Sequence, residues 1–510
     1  MNFFRSSIKL ILLGFLLVLI STCSTAPVKE TKPNILWILL EDTAPLLSAY
    51  GTTIISTPNI DSLADNGIRF TNAFMPAPVC SPSRSSMITG VMSTTLGLHN
   101  HHSARTPESA IYLPDSVKTI PEVFKEAGYF TFNNGKDDYN FTYDRKDLYN
   151  QDYMQHALYG KKGVNLDFSE LKNKTPFFGQ VQLSGGKEIF SRTFKERVGT
   201  PVDRSKVELP PYLPNHPAII EEYANHLDAI QITDRKVGAI IEDLRKNGLL
   251  HNTIVFFFSD HGMRMTRNKQ FLYDGGLHVP LIMADFRDKS ETEKGLVNQE
   301  LVSGLDLGPT SLGLAGIEVP AYMEGLDVFD EKTGNREYVI STRDRCDFTI
   351  DRIRSVRSKK YKYIRNFMTD RPYTQPTYMD VDGVEFVKVT KQLHAENKLN
   401  EVQSLFFSDI RPAEELYDLE KDPYELNNLA GDPEHAGRLS EYAAILDQWI
   451  EDTNDQGQYP EEEGLKLMLG IWGDHAVNPE YEALRKKYPD LASSQFYLKS
   501  SGWKKVNDKD

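Results

Sequence analysis

The 510-residue sequence predicts an α/β protein: a large, mostly parallel sheet sandwiched by helices, with a smaller C-terminal subdomain containing an antiparallel sheet. Three observations support this. Apolar runs such as Lys32-Pro-Asn-Ile-Leu-Trp-Ile-Leu-Leu40 lack the alternation of a half-exposed strand and read as strands buried on both faces. Helical segments separate these runs. Beyond about Gly325 the texture changes to short strands with close turns, at Tyr338–Thr342, Ile353–Val356 and Tyr361–Ile364. The expected division is a leader at 1–26, a large domain at 27–330 and a smaller subdomain at 331–510.

The leader reads as an export signal. Arg5 and Lys9 precede Leu10–Ile20, an apolar run well short of the roughly 20 residues of a membrane span. Ile20-Ser21-Thr22-Cys23 resembles a bacterial lipobox with Cys23 as the lipidated residue, although Thr22 stands where Gly, Ala or Ser is usual. Cleavage after Ala26 is the competing reading. Both place the protein outside the cytoplasm, in the periplasm or as a membrane-anchored lipoprotein, with membrane contact only through leader or lipid. With only Cys23, Cys80 and Cys346 present, no disulfide framework is expected, and Cys346 reads as a packed thiol. A net charge of -14 argues against nucleic-acid binding, so any affinity for anions must reside in a local basic pocket.

In chain order, the first strand ends at Glu41-Asp42, two carboxylates where open α/β sheets place ligands. A divalent cation would relieve their repulsion; a solvated acidic turn is the bland alternative. Thr57–Gly67 is a short capped helix and a strand follows near Phe70. Val79-Cys80-Ser81-Pro82-Ser83-Arg84 opens a helix that Gly90 closes, Pro82 suiting its first position. Cys80 thus lies at a helix N-terminus with Arg84 beside it, a place suited to holding an anion against a nucleophile. Leu98-His99-Asn100-His101-His102-Ser103 packs three histidines into a loop, read as substrate contacts or as plain surface. Thr119–Ala127 is helical, Tyr129–Asn133 a strand ending near Lys136, and 140–175 a polar surface insertion. Pro176–Leu183 is a strand leading to Lys187, Ala218–Lys246 a long helix, and Thr253–Phe258 a strand leading to Asp260-His261. Tyr442–Thr453 is a helix, and the polar tail from Asp455 wraps the body. Parallel strands share a C-terminal edge, so Glu41, Asp42, Lys136, Lys187, Asp260 and His261 are expected at one end of the sheet.

Cys80-Ser-Pro-Ser-Arg84, Gly135-Lys136, Ser259-Asp-His-Gly262, Lys269-Gln-Phe-Leu-Tyr-Asp-Gly-Gly-Leu-His-Val-Pro280 and Glu415–Leu429 occur in the order found in type I sulfatases. Over about Pro33–Leu429 the chain resembles that formylglycine-dependent family, of alkaline-phosphatase-like fold, and within it bacterial glycan- and heparan-type members. The resemblance implies that a maturase converts Cys80 to formylglycine, whose hydrate attacks sulfur, and that Arg84 steadies it. It implies that Glu41, Asp42, Asp260 and His261, with residue 80, bind one calcium ion, and that Lys136 and Lys269 hold sulfate oxygens of a sulfated glycan. Glu41 replaces a usual aspartate and His261 a common asparagine. Asp138 and Ser184 stand where the family has histidines, so Lys187, His101 or His102 is expected to protonate the leaving group. The arginines between Thr342 and Arg365 read as contacts to a sugar carboxylate or second sulfate, or as ordinary ion pairs. The alternatives are a phosphomonoester or phosphonate-ester hydrolase on the same fold, and a catalytically silent glycan-binding homologue. Intact-mass analysis of membrane-fraction protein should show an acylated Cys23 at the mature N-terminus; an unacylated chain beginning after Ala26 would contradict the lipoprotein reading.

Overall fold

The computed structural model describes residues 32–103, 106–152, 167–287, 294–332 and 334–489. The leader and Cys23 lie outside them. Among the described residues no helix is long and apolar enough to cross a membrane.

The main sheet comprises β1 (Asn34–Leu40), β2 (Gly67–Phe74), β3 (Phe130–Asn134), β4 (Gln151–Asp152), β5 (Phe177–Leu183), β6 (Thr253–Ser259), β7 (Leu281–Asp285) and β8 (Leu296–Ser303). Their order is β4-β3-β5-β1-β6-β7-β2-β8, and β7 alone runs antiparallel to its neighbours. β1 is central and buried on both faces. Ile35, Trp37 and Leu39 enter one apolar layer; Leu36, Ile38 and Leu40 enter the other, which explains the unbroken apolar run. Trp37 packs edge-on between Phe178 and Phe258, with centroids 5.2 and 5.5 Å away, and its indole N–H donates to Ser311 Oγ at 2.9 Å. Each such aromatic pair adds roughly 1 kcal/mol beyond area burial, and the buried donor is satisfied.

The second sheet is antiparallel, in the order β12-β11-β10-β9, formed by β9 (Val339–Arg343), β10 (Ile353–Arg357), β11 (Tyr361–Asn366) and β12 (Glu414–Asp418). The mostly parallel sheet and the separate antiparallel one are the fold class read from the sequence.

Three sequence expectations need correction. The described parts of 140–175, residues 140–152 and 167–175, are not a polar surface insertion: Phe141, Leu148, Tyr149, Phe168 and Leu171 are buried, and β4 extends the sheet beside β3. The sparse aromatic spacing concealed an apolar face. The described chain after Asp455, to residue 489, is no polar wrap, because the Glu462–Trp472 helix buries Leu467, Met468 and Leu469 with Phe348 and Ile350. The helix before it starts at Ala436 rather than Tyr442.

The arginines of the second sheet are internal ion-pair partners, not free anion contacts. Arg354 is fully buried, its guanidinium bonding Asp455 at 2.8 Å and Asp344 at 3.0 Å. Arg343 pairs with Asp351, Arg345 with Glu461 at 2.9 Å, and Arg357 with Asp274 at 3.0 Å. Removing one member of a buried pair strands the other charge, which costs about 3–5 kcal/mol. Arg354→Met should therefore lower the free energy of unfolding by about that amount. Lys359→Met, which removes an exposed pair with Glu300, should cost under about 1 kcal/mol. Equal losses in a denaturant titration would contradict the assignment.

Candidate active site

Parallel pairing makes adjacent strands end together. Leu40 of β1 lies opposite Leu183 of β5 and Ser259 of β6, and Asn134 at the end of β3 lies opposite Val181. The chain leaving these four ends carries Glu41-Asp42, Lys187, Asp260-His261 and Lys136 into one crevice. The exits are tightly packed. Asp42 adopts φ 52 and its N–H donates to Asp260 Oδ1 at 3.2 Å. Gly185 adopts φ 52, and a Cβ there would sit 2.4 Å from Thr43 Oγ1 and 2.5 Å from the Glu41 carbonyl oxygen. Only glycine lets the loop bearing Lys187 lie against the end of β1.

The helix Cys80–Thr89 runs beneath the crevice with all ten residues buried, and Gly90 closes it at φ 69. It starts at Cys80 itself, so Pro82 occupies the third position rather than the first, still where an N–H would lack an intrahelical acceptor. The helix tolerates burial because its hydroxyls are satisfied: Ser85 and Ser86 bond back to the Ser81 and Pro82 carbonyls, and Ser83 Oγ donates to the Asp260 carbonyl at 2.6 Å. Arg84 donates to Asp260 Oδ2 at 2.9 Å, Gln182 Oε1 at 2.8 Å and the Lys136 carbonyl at 3.2 Å. It ties three of the four strand exits to the helix that presents Cys80.

Cys80 Sγ lies 3.3 Å from His261 Nε2, 3.6 Å from Lys187 Nζ, 3.7 Å from Lys269 Nζ and 3.9 Å from Asp42 Oδ1. Lys269 also donates to both Asp42 oxygens at 3.0 Å, and Lys136 lies 3.1 Å from Glu41 and 3.2 Å from Asp138. Burial pushes the Cys80 thiol up, but Lys136, Lys187 and Lys269 outweigh it and bring the thiol down to about 7. Burial likewise opposes ionisation of Asp42, and Lys187 and Lys269 overcome it, holding the carboxyl well below the usual range. The site is built to stabilise negative charge at residue 80.

The donor set fits a divalent cation. Asp42 and Asp260 are almost wholly buried, with Glu41 at the rim. His261 Nδ1 donates to the Gly262 carbonyl at 2.8 Å, which presents Nε2 to Asp42 Oδ1 at 3.2 Å and Asp260 Oδ1 at 3.7 Å. Three carboxylates and one oriented imidazole surround residue 80.

The expected leaving-group candidates separate. Lys187 contacts Cys80. His101 is engaged with the loop's own partners: its Nδ1 bonds Asp347 Oδ1 at 3.1 Å and its ring stacks on His102 at 3.6 Å. Asp138 pairs with Lys136, and Ser184 only opens the Gly185–Phe190 turn. Sequence reasoning missed Gln182 and Asp347. Gln182 was detectable as one of two glutamines, with Gln180, in a strand of mostly apolar residues; Asp347 had no signal beside the arginines around it.

Residues 33–317 match the sulfatase family, and residues 261–403 match the family described as N-sulphoglucosamine sulphohydrolase, C-terminal. An ulvan-active sulfatase of Formosa agariphila is 31% identical over 488 residues, covering 88% of this chain and 79% of that protein. Human N-sulphoglucosamine sulphohydrolase is 26% identical, covering 86% and 93%. A solved 2-O GAG sulfatase superposes with TM-score 0.59 at 24% identity, over 84% of this chain and 94% of the other. The phosphonate monoester hydrolase of Agrobacterium radiobacter reaches TM-score 0.61 at 18% identity, over 82% and 96%, and so shares the fold. With the family match spanning more than half the chain, this protein belongs to the sulfatases and is a sulfuric ester hydrolase.

Proposed function

We propose that the enzyme removes sulfate from a sulfated polysaccharide or its oligosaccharides, using a formylglycine that a maturase makes from Cys80, together with one calcium ion. The observation behind this reading is the convergence of Lys187, Lys269, Asp42 and His261 within 3.9 Å of Cys80 Sγ. Glu41, Asp42, Asp260 and His261 would hold the cation. The hydrated aldehyde supplies an oxygen nucleophile that can later release sulfate, and the cation supplies the charge that acidifies it. Lys136, Lys187 and Lys269 bind the sulfuryl oxygens and stabilise charge that develops there. Arg84 keeps residue 80 and Asp260 in register through its bond to Asp260. The relatives named for ulvan and N-sulphoglucosamine support a glycan substrate. Export through the leader would bring the enzyme to such polymers.

Three measurements test this. In protein produced with a maturase, the tryptic peptide containing residue 80 should be lighter than the cysteine form by about 18 Da, as thiol-to-aldehyde conversion requires. That protein should turn over an aryl sulfate faster than the matched aryl phosphate; the reverse preference would favour a phosphoester hydrolase. In metal-free protein produced without the maturase, thiolate absorbance should report Cys80 titrating at about 7. The lysines favour the thiolate, so the Lys136→Met/Lys187→Met variant should move that midpoint upward by about one unit or more. An unmoved midpoint would show that the lysines do not act on residue 80.

A further inference from the structure

A sugar alcohol is a poor leaving group, so its oxygen needs a proton as the S–O bond breaks. The lysines beside Cys80 are already engaged: Lys136 and Lys187 pair with Glu41 and Lys269 with Asp42, and all three are assigned to the sulfuryl oxygens. His261 belongs to the cation set, and burial keeps His226, packed against Gly186, down at about 4. What remains near the crevice among the described residues is the histidine loop.

Resting on the sulfatase reading above, we propose that His102, oriented by Asp347, donates the proton to the leaving alcohol. The His102 N–H donates to Ser81 Oγ at 3.2 Å, which anchors the loop one residue from Cys80. Its Nδ1 bonds Asp347 Oδ1 at 3.1 Å, fixing ring and tautomer as a carboxylate does for a catalytic imidazole. Nε2 is thereby turned toward the lysine side of the crevice, 3.8 Å from Asp138 Oδ1; the other oxygen of Asp138 lies 3.2 Å from Lys136 Nζ. The His102 side chain is 19% exposed against 10% for His101. Burial and the neighbouring His102 hold His101 down to about 3, so it serves as the neutral ring against which His102 stacks.

The backbone supplies an independent observation. His102, Asp138 and Asp347 adopt φ 59, 56 and 48, a region that side chains other than glycine rarely enter. The three are His102 itself and the two acids that flank its ring, so the left-handed turns meet at this one cluster. In the step itself, the electron pair of the breaking S–O bond stays on the alcohol oxygen, which takes the Nε2 proton. The water consumed in hydrolysis returns a proton to the imidazole, so the balance is sulfate ester plus water giving alcohol plus hydrogen sulfate.

The test is a leaving-group series on the matured holoenzyme, running from 4-nitrophenyl sulfate to unsubstituted phenyl sulfate. His102→Gly is the informative variant because φ 59 suits glycine and the loop can keep its path. It should lose about 100-fold in kcat/KM on phenyl sulfate but only a few-fold on 4-nitrophenyl sulfate. Added imidazole should restore the phenyl sulfate rate. Asp347→Asn should steepen the leaving-group dependence in the same direction. Equal losses on both esters, or no rescue by imidazole, would overturn the proposal and leave the cluster a structural role. If matured wild-type enzyme hydrolysed no sulfate ester, the sulfatase reading itself would fall, and this assignment with it.

Discussion

The whole site depends on the common C-terminal edge of four adjacent strands, β3-β5-β1-β6. Parallel hydrogen bonding leaves little freedom in where such strands stop, so the charged residues after them must share one crevice. Burying β1 on both faces fixes its register, because a one-residue slip would exchange the layers that Trp37 and Ile38 fill. The apolar core therefore determines the position of Asp42 as firmly as any contact within the site.

Gathering charge at that edge creates an electrostatic problem with a functional solution. Glu41, Asp42 and Asp260 are acids in a poorly solvated place, offset by Lys136, Lys187, Lys269 and Arg84. Lysines that spend their charge on carboxylates are not free for a sulfate. A divalent cation among the acids would release them toward the sulfuryl oxygens, which gives both sets of charge around residue 80 a use in the proposed reaction. Arg84 offsets Asp260 but is not turned toward residue 80 as the lysines are: its bonds run to Asp260, Gln182 and the Lys136 carbonyl, and it braces the strand exits.

Much of this was legible in the sequence for physical reasons. Apolar runs ending in charged pairs marked the buried strands and their crevice, and Cys80-Ser-Pro-Ser-Arg84 marked the helix start within two residues. What was not legible came from long-range pairing. Arg343, Arg345, Arg354 and Arg357 looked available for a sugar's charge, yet each closes on an acid that sequence spacing does not bring near: Asp351, Glu461, Asp455 and Asp274. The described parts of 140–175 and of the tail after Asp455 hid their apolar faces because buried residues such as Phe141, Tyr149 and Leu467 are spaced without a clear period. The partnership of His102 with Asp347, 245 residues away, could emerge only from the fold.

The most direct test of the claim that buried acids around residue 80 form a cation site is calorimetric titration of calcium into metal-stripped protein. The account predicts one ion bound per chain in the wild type and loss of that binding in Asp42→Asn, whose carboxylate faces both His261 and Cys80. Wild-type binding that persists undiminished in the variant, or no calcium binding at all, would contradict it.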